Sequence, residues 1–419
     1  MQYLLCLAYL SLFVFLIYRL KFFDVPGLSR KSLAFIFLLK LLAGFLLYAV
    51  FTWFYKDRPN SDIFKFYDDS KHMYDALFVN PLDYFKMLTG IGNNTPHFTR
   101  YYDQMFNWYR KLNSNLYNES HFIIRFNALL RLFSFGVYFV HVIFICFMST
   151  AGLTGMYRFF SNTLNGKNRI LTVCLFLTPS VFLWTSGLIK EAFIVSFLGI
   201  VLSALKEALE KRRVLFSFLV ILLGLILLLC IKIYILVAFI PTVLAYVWSY
   251  EKKMQTVFIR YGVVIFALIG MAFLVRGLFP DYDPAEVIRI KQADFILISE
   301  KADSRIEIPP LEASFRSLLR NAPNALFNSL CRPLKFHGHA FIRMAAIENW
   351  LLLLFAAWCL LFSRPLHQVN WNVVLMCLLF SLILLLIVGW ITPVVGAIVR
   401  YKVPALPFML AGLLHLKRS

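Results

Sequence analysis

Residues 215–248 read LFSFLVILLGLILLLCIKIYILVAFIPTVLAYVW, an apolar run interrupted by a single charge, Lys232. A helix needs about 20 residues to cross the roughly 30 Å hydrocarbon core of a bilayer. The run is too long for one span and just long enough for two, joined by a tight hairpin with the lysine at its tip.

The rest of the chain is built the same way. Hydrophobic residues make up 60% of 419, charged residues only 15%, and the mean hydropathy is +0.73, so the bilayer is the natural solvent. Apolar runs predict eleven membrane-spanning helices near 3–18, 32–55, 123–149, 170–186, 191–208, 214–231, 234–249, 261–279, 344–363, 371–391 and 403–416. The fold class expected is an all-α, polytopic transmembrane helix bundle. Its two long extracytoplasmic loops, 56–122 and 280–343, would carry short amphipathic helices. The first run lacks a basic region before it and a small-residue cleavage site after it, and Arg19, Lys21, Arg30 and Lys31 follow, so it reads as an anchor with its N-terminus outside.

A net charge of +20 raises the question of nucleic acid. The two long loops hold 17 basic and 16 acidic residues, leaving 25 of the 42 basic but only 6 of the 22 acidic residues elsewhere. Most of that excess sits at alternate helix ends, as in Arg158, Lys167 and Arg169, in Lys206, Lys211, Arg212 and Arg213, in Lys252, Lys253 and Arg260, and in Lys417 and Arg418. This is the positive-inside pattern. It assigns the basic excess to topology and argues against nucleic acid. The resulting order is N-out and C-in across an inner (cytoplasmic) membrane, with both long loops outside.

Six of the seven cysteines lie in apolar runs, and Cys331 stands alone in a loop, so neither a loop disulfide nor a metal spacing is expected. The sequons at Asn93 and Asn118 are short patterns that arise by chance. No repeat of 20–50 residues is present, and residues 1–419 are read as one membrane domain with inserted loops.

The loops carry the polar chemistry. In the first, Ser61 is placed to cap a helix running to about Leu77, with Ile63, Phe66, Tyr67, Ser70, Tyr74 and Leu77 on one face and Asp62, Lys65, Asp69 and His72 on another. Tyr101, Tyr102, Met105, Trp108, Tyr109 and Leu112 form an aromatic stripe broken by Asp103, Arg110 and Lys111, which suits either a helix in the headgroup layer or a platform for sugar rings. The second loop opens on the turn formers Phe279-Pro280-Asp281-Tyr282-Asp283-Pro284 and predicts a short helix over Leu311–Arg320 that stops before Pro323, either a lid or a solvated connection.

A few ionisable groups remain at the outer ends of the spans, where burying charge is costly unless it is paired or used. Lys190 and Glu191 sit in a very short turn, Lys232 at the hairpin tip, Glu348 near the start of the ninth span, and Arg400 and Lys402 just before the last. Each has a structural reading, as an interfacial ion pair or a snorkelling lysine. Glu348 would need a partner such as Lys190, Arg343 or Arg400. The functional reading is convergence on one outer surface, with cations to hold phosphate and first-loop carboxylates to remove a proton. Asp62 and Asp69, seven residues apart, would share a helix face, with Asp62 nearer the second span and Asp68 pointing elsewhere.

Three stretches carry a resemblance: Ser61-Asp62-Ile63-Phe64-Lys65-Phe66-Tyr67-Asp68-Asp69, the Pro-Ser-x-x-x-Trp-x-Ser-Gly-x-x-Lys-Glu segment at 179–191, and Arg-Tyr-Lys-x-Pro-x-x-Pro at 400–407. Together with the topology, they resemble the GT-C class of polytopic bacterial membrane glycosyltransferases, in which the acidic motif lies in the first outer loop. Here a short extra N-terminal span moves that loop to follow the second crossing. The resemblance implies a polyprenyl-phosphate-linked sugar donor, a glycan or lipid acceptor, and Asp62 or Asp69 as catalytic base. The convergence of outer charges makes Lys190, Glu191, Lys232, Glu348, Arg400 and Lys402 the candidate substrate-binding residues. No cofactor is predicted, and dependence on a divalent metal is left open. The runner-up is an O-antigen or exopolysaccharide polymerase or ligase. A transporter or flippase would show several ionisable groups near the midplane and interrupted helices in matching halves. Only Lys40, Arg131 and His141 lie well within the predicted spans.

Overall fold

The computed structural model describes residues 1–109, 118–164, 166–300, 302–336 and 338–418, and among these all regular structure is helical. In chain order the helices are α1 Gln2–Arg19, α2 Arg30–Ala49 extended by a π-turn Val50–Phe54, α3 Lys65–Val79, α4 Pro81–Thr89, α5 Thr99–Tyr102, α6 Ser120–Ser134 and α7 Tyr138–Ser161. Then come α8 Asn168–Thr172 with a π-turn Val173–Leu177, α9 Pro179–Trp184, α10 Lys190–Leu209, α11 Val214–Ile231, α12 Ile233–Trp248 and α13 Met254–Leu278. The last are α14 Pro284–Ile298, α15 Phe315–Cys331, α16 Ala340–Leu361, α17 Trp371–Ile391, α18 Val395–Tyr401 and α19 Leu406–Leu416.

Among the described residues eight helices are long and apolar enough to cross a membrane: α1, α2 with its π-turn, α7, α10, α11, α13, α16 and α17. Counting α18 and α19 as one span bent by 65° makes nine. The chain is a multi-pass membrane protein. The segment predicted at 123–149 divides into α6, whose Asn127, Arg131 and Ser134 are buried polar groups, and α7. Phe135 and Gly136, both at positive φ, separate the two. The segment predicted at 170–186 is broken before Pro179, which biases Thr178 away from helical geometry. The segment near 234–249 is a 16-residue helix with Pro241 inside it.

The chain forms two compact units, residues 1–159 with 182–232 and residues 160–181 with 233–419. In the first, α7 and α10 are the buried helices: 72% of each spanning window is buried, against 11% for α1. Small residues let them meet backbone to backbone. A Cβ on Gly199 would overlap the Gly152 carbonyl, and one on Gly155 would overlap the Gly199 carbonyl. The two helices run parallel, since Ser149 Oγ donates to Thr185 O at one level and Lys206 Nζ donates to Arg158 O at another.

In the second unit α17 is central and packs on α12, α15 and α19. Tyr261 Oη and Asn372 Nδ2, the latter donating to Tyr246 O, tie α13, α12 and the start of α17 at one end. At the other end Tyr234 lies under Lys291 and Trp390 receives Gln292, so α12 runs antiparallel to α17 along its length. Basic residues collect at the Asn372 end of their helices, where Lys167 Nζ donates to Leu414 O and Arg364 Nε to Lys417 O.

Both long loops are more structured than their polarity suggests. The predicted first-loop helix is α3. It begins at Lys65 because residues 61–64 form a turn, with Ser61 O accepting from Phe64 N and Lys65 N, so Asp62 lies before the helix and shares no helical face with Asp69. In the second loop Asp283 caps α14, a helix that hydropathy did not single out. The predicted Leu311–Arg320 helix starts at Phe315, capped by Ser314, and continues through Pro323 to Cys331. Contact with α17 along its length holds α15 helical past the proline.

Candidate functional site

In the first unit the start of α10 gathers charges from three distant segments. Lys190 and Glu191, adjacent in sequence, turn to different partners. Lys190 Nζ lies 3.1 Å from Glu119 Oε2, just ahead of α6, whereas Glu191 Oε1 lies 3.4 Å from Lys232 Nζ at the end of α11. The second pair is deeply buried, with side chains 1% and 7% exposed. Isolated charges at that depth would be prohibitive, so pairing is the condition for their being there.

Lys65, at the first turn of α3, pairs with Asp62. Two ammonium groups lie near the Phe66 ring, Lys65 at 5.0 Å and Lys190 at 5.5 Å from its centroid. Of the residues predicted for the site, Asp62, Lys190, Glu191 and Lys232 are thus brought into one neighbourhood, where three lysines balance three carboxylates.

Asp69 does different work. Its carboxylate accepts from Phe106 N, Asn107 N and Asn107 Nδ2, each at 2.9 Å, and so pins the 106–107 turn to α3. Burial pushes its pKa up, partly offset by those hydrogen bonds. Asp68 receives both Nε and Nη2 of Arg58, at 2.8 and 2.7 Å. Asp83 is a further buried carboxylate, held by His97, Arg100 and Tyr101 at 2.7, 3.0 and 3.0 Å.

The aromatic stripe is not an amphipathic helix. Among the described residues of the stripe only Tyr101 and Tyr102, in α5, are helical, and Tyr101, Tyr102, Met105 and Trp108 are buried. Tyr102 stacks on Trp108 at 4.2 Å and Trp108 on His121 at 4.0 Å, so these rings form an internal column, whereas Tyr109 is exposed. Arg110, Lys111 and Leu112 lie outside the described residues.

No protein-family model, curated protein or solved structure matches this chain.

The second unit assembles the other predicted residues. Glu348 Oε1, for which the sequence suggested a basic partner, accepts from Ser180 N at 3.0 Å and Ser180 Oγ at 2.6 Å, with the charge of Lys402 nearby. Lys402 Nζ donates to Asn349 Oδ1 at 2.7 Å, and Asn349 Nδ2 donates to Cys331 O. Arg400 lies over the Tyr401 ring at 5.0 Å. Glu348, Asn349 and Lys402 thus form a buried polar group at the bend between α18 and α19. Among the described residues no three His, Cys, Asp or Glu side chains gather as metal ligands would.

Sequence reading missed Glu119 and Ser180 as partners. Glu119 lies 71 positions from Lys190 and Ser180 lies 168 from Glu348, and nothing in the local sequence announces such contacts. The one signal available for Glu119 was an acid standing just before a predicted span.

Proposed function

We propose that this protein is an integral-membrane glycosyltransferase that moves a sugar from a polyprenyl-phosphate-linked donor to a glycan or lipid acceptor on the extracytoplasmic face of the inner membrane. One observation carries the reading: Asp62 from the first loop and the lysines Lys65, Lys190 and Lys232 share one neighbourhood at the start of α10. Inverting transfer needs a carboxylate to take the acceptor hydroxyl's proton and fixed cations to receive the negative charge that develops on the departing phosphate. Asp62, partly exposed and paired with Lys65, is the base in this reading, and Asp69 is the alternative. In this reading Lys190 and Lys232 receive the phosphate.

The N-out, C-in arrangement with eleven crossings belongs to the same proposal. Parallel packing of α7 and α10 supports counting the broken α8–α9 segment as a return crossing. The antiparallel run of α12 along α17 supports counting that short helix too. Tags at the C-terminus and residue 210 should then report cytoplasm, and tags near 90 and 310 the outside.

A second reading, transport of a lipid-linked glycan, draws on the broken α8–α9 segment and the bent α18–α19 pair, since discontinuous helices build transporter sites. Both fall mainly in the second unit rather than one in each. The deciding experiment is transfer from a polyprenyl-phosphate sugar by Asp62→Asn. The variant should insert and bind donor but lose transfer. Full activity there with loss in Asp69→Asn moves the base, and full activity in both rejects the mechanism.

A further inference from the structure

Where α16 and α19 end, within the second unit, three cations from separate parts of the chain meet. The chain leaves α16 at Leu361, and residues 362–364 pair antiparallel with 416–418. Arg364 N donates to Leu416 O and Arg418 N to Phe362 O, each at 2.8 Å. This bridge sets Arg364 beside Lys417, whose carbonyl accepts from Arg364 Nε at 2.9 Å. Lys167, from the turn ahead of α8, reaches the same place: its Nζ donates to Leu414 O at 3.0 Å and to Lys417 O. Lys417 Nζ lies over the Trp358 ring, 4.1 Å from its centroid.

Among the described residues no aspartate or glutamate pairs with Lys167, Arg364 or Lys417, whose partners are backbone carbonyls and a ring. The C-terminal end of a helix carries only about half a negative charge, so the carbonyls of α19 offset a small part of three full positive ones. The excess is felt at the most enclosed member. Lys167 is 4% exposed, and its burial, followed by the charges of Arg364 and Lys417, lowers the pKa of its ammonium to about 8. An anion against the open side of the cluster would relieve this repulsion. That side is available, since Arg364 and Lys417 are partly exposed and Arg418 is exposed.

The adjoining surface says which anion fits. Leu360, Leu361 and Phe362 are all exposed, Leu361 by 80%, and they lead from the last turn of α16 directly to Arg364. A free phosphate would use the cations and leave these side chains uncovered. A phosphate carrying hydrocarbon tails uses both, at the end of a membrane-spanning helix where such headgroups lie. Arg364 adds a planar fork suited to phosphate oxygens. We infer that this corner binds an anionic phospholipid, its phosphodiester held by Arg364 and Lys417 with Lys167 behind them, and its acyl chains lying along Leu360 and Leu361. The site is independent of the glycosyltransferase reading, whose cations belong to the first unit.

The test is native mass spectrometry of the full chain, equilibrated in detergent with equal amounts of phosphatidylglycerol and phosphatidylcholine of the same acyl length. Wild type should retain the anionic lipid about tenfold or more over the zwitterionic one. Lys417→Gln, which leaves the backbone bonds of residue 417 in place, should cut that preference about fivefold, and adding Arg364→Gln should remove most of what remains. Lys252→Gln with Lys253→Gln, an equal loss of charge on the turn before α13, should leave the preference intact, and unaltered phosphatidylcholine retention checks that each variant is folded. An undiminished preference in the Lys417 and Arg364 double variant, or an equal fall in the Lys252 and Lys253 control, overturns the proposal. Inorganic phosphate, compared with chloride at equal ionic strength, should not displace the lipid. Displacement would make the corner a free-anion site and sink the lipid assignment.

Discussion

The two long loops, 56–122 and 280–343, are nearly equal in length and both close to neutral, yet they are fastened by opposite chemistry. The first is held by charge. Asp69 clamps the 106–107 turn, Asp83 holds His97 and Arg100, and Glu119 reaches Lys190. The second is held mainly by neutral groups: Gln292 bridges three backbone atoms, Ile306 N donates to Pro393 O, and Val395 N donates to Ser304 O. A charged network ties stability to protonation and offers groups able to exchange partners, whereas an amide framework fixes a surface without responding to pH.

The largest effect that would sharpen the contrast comes from cutting the buried charge pair. Glu191→Ala leaves Lys232 buried without its carboxylate and should cost about 3–5 kcal/mol in thermal unfolding, while Glu191→Gln with Lys232→Met should recover most of it. A loss under about 1 kcal/mol, the value of an exposed pair, would mean that the pair does not seal the start of α10.

In the second unit, Gln292→Leu removes the partner of Leu311 N and of two carbonyls, a loss of about 1–3 kcal/mol. Hydrogen exchange at the Leu311 amide should accelerate, equally at low and high salt. Salt-dependent exchange there would break the distinction between the loops.

The smallest effect is the acid response of the first loop. Burial of Asp83 opposes its ionisation, but the bonds from His97, Tyr101 and Arg100 more than offset it and hold the carboxyl below the ordinary range. A carboxyl lowered on folding stabilises above its unfolded value, near pH 3.9, and that contribution fades as pH falls through the lowered folded value. Limited proteolysis should therefore show the 81–102 region opening on acidification in wild type. Asp83→Asn should already be looser at neutral pH and lack that step, and no matching acid step should appear around Gln292.

Much of the helical frame was legible in the sequence because hydropathy reports burial in lipid directly. The run 215–248 divides at Lys232, as its single charge implied. Breaks were less visible: an apolar average over 170–186 hides Pro179, and Gly136 hides within 123–149. Elsewhere tertiary contact overrode the local signal. The 101–112 stripe has helical spacing, but Tyr102 and Trp108 stack in a column with His121 instead, and α15 runs through Pro323 because α17 supports it. The conspicuous charges Lys190, Glu191, Lys232 and Lys402 could be picked out singly. Their partners could not, since those contacts are made only by folding.

The most direct test of the central claim is native mass spectrometry of the detergent-solubilised chain with polyprenyl phosphate and with the uncharged polyprenol of equal length. Wild type should prefer the phosphate, and Lys190→Gln with Lys232→Gln should reduce that preference about tenfold or more while polyprenol binding stays unchanged. Equal retention of phosphate and alcohol by wild type, or an undiminished preference in the double variant, would contradict it.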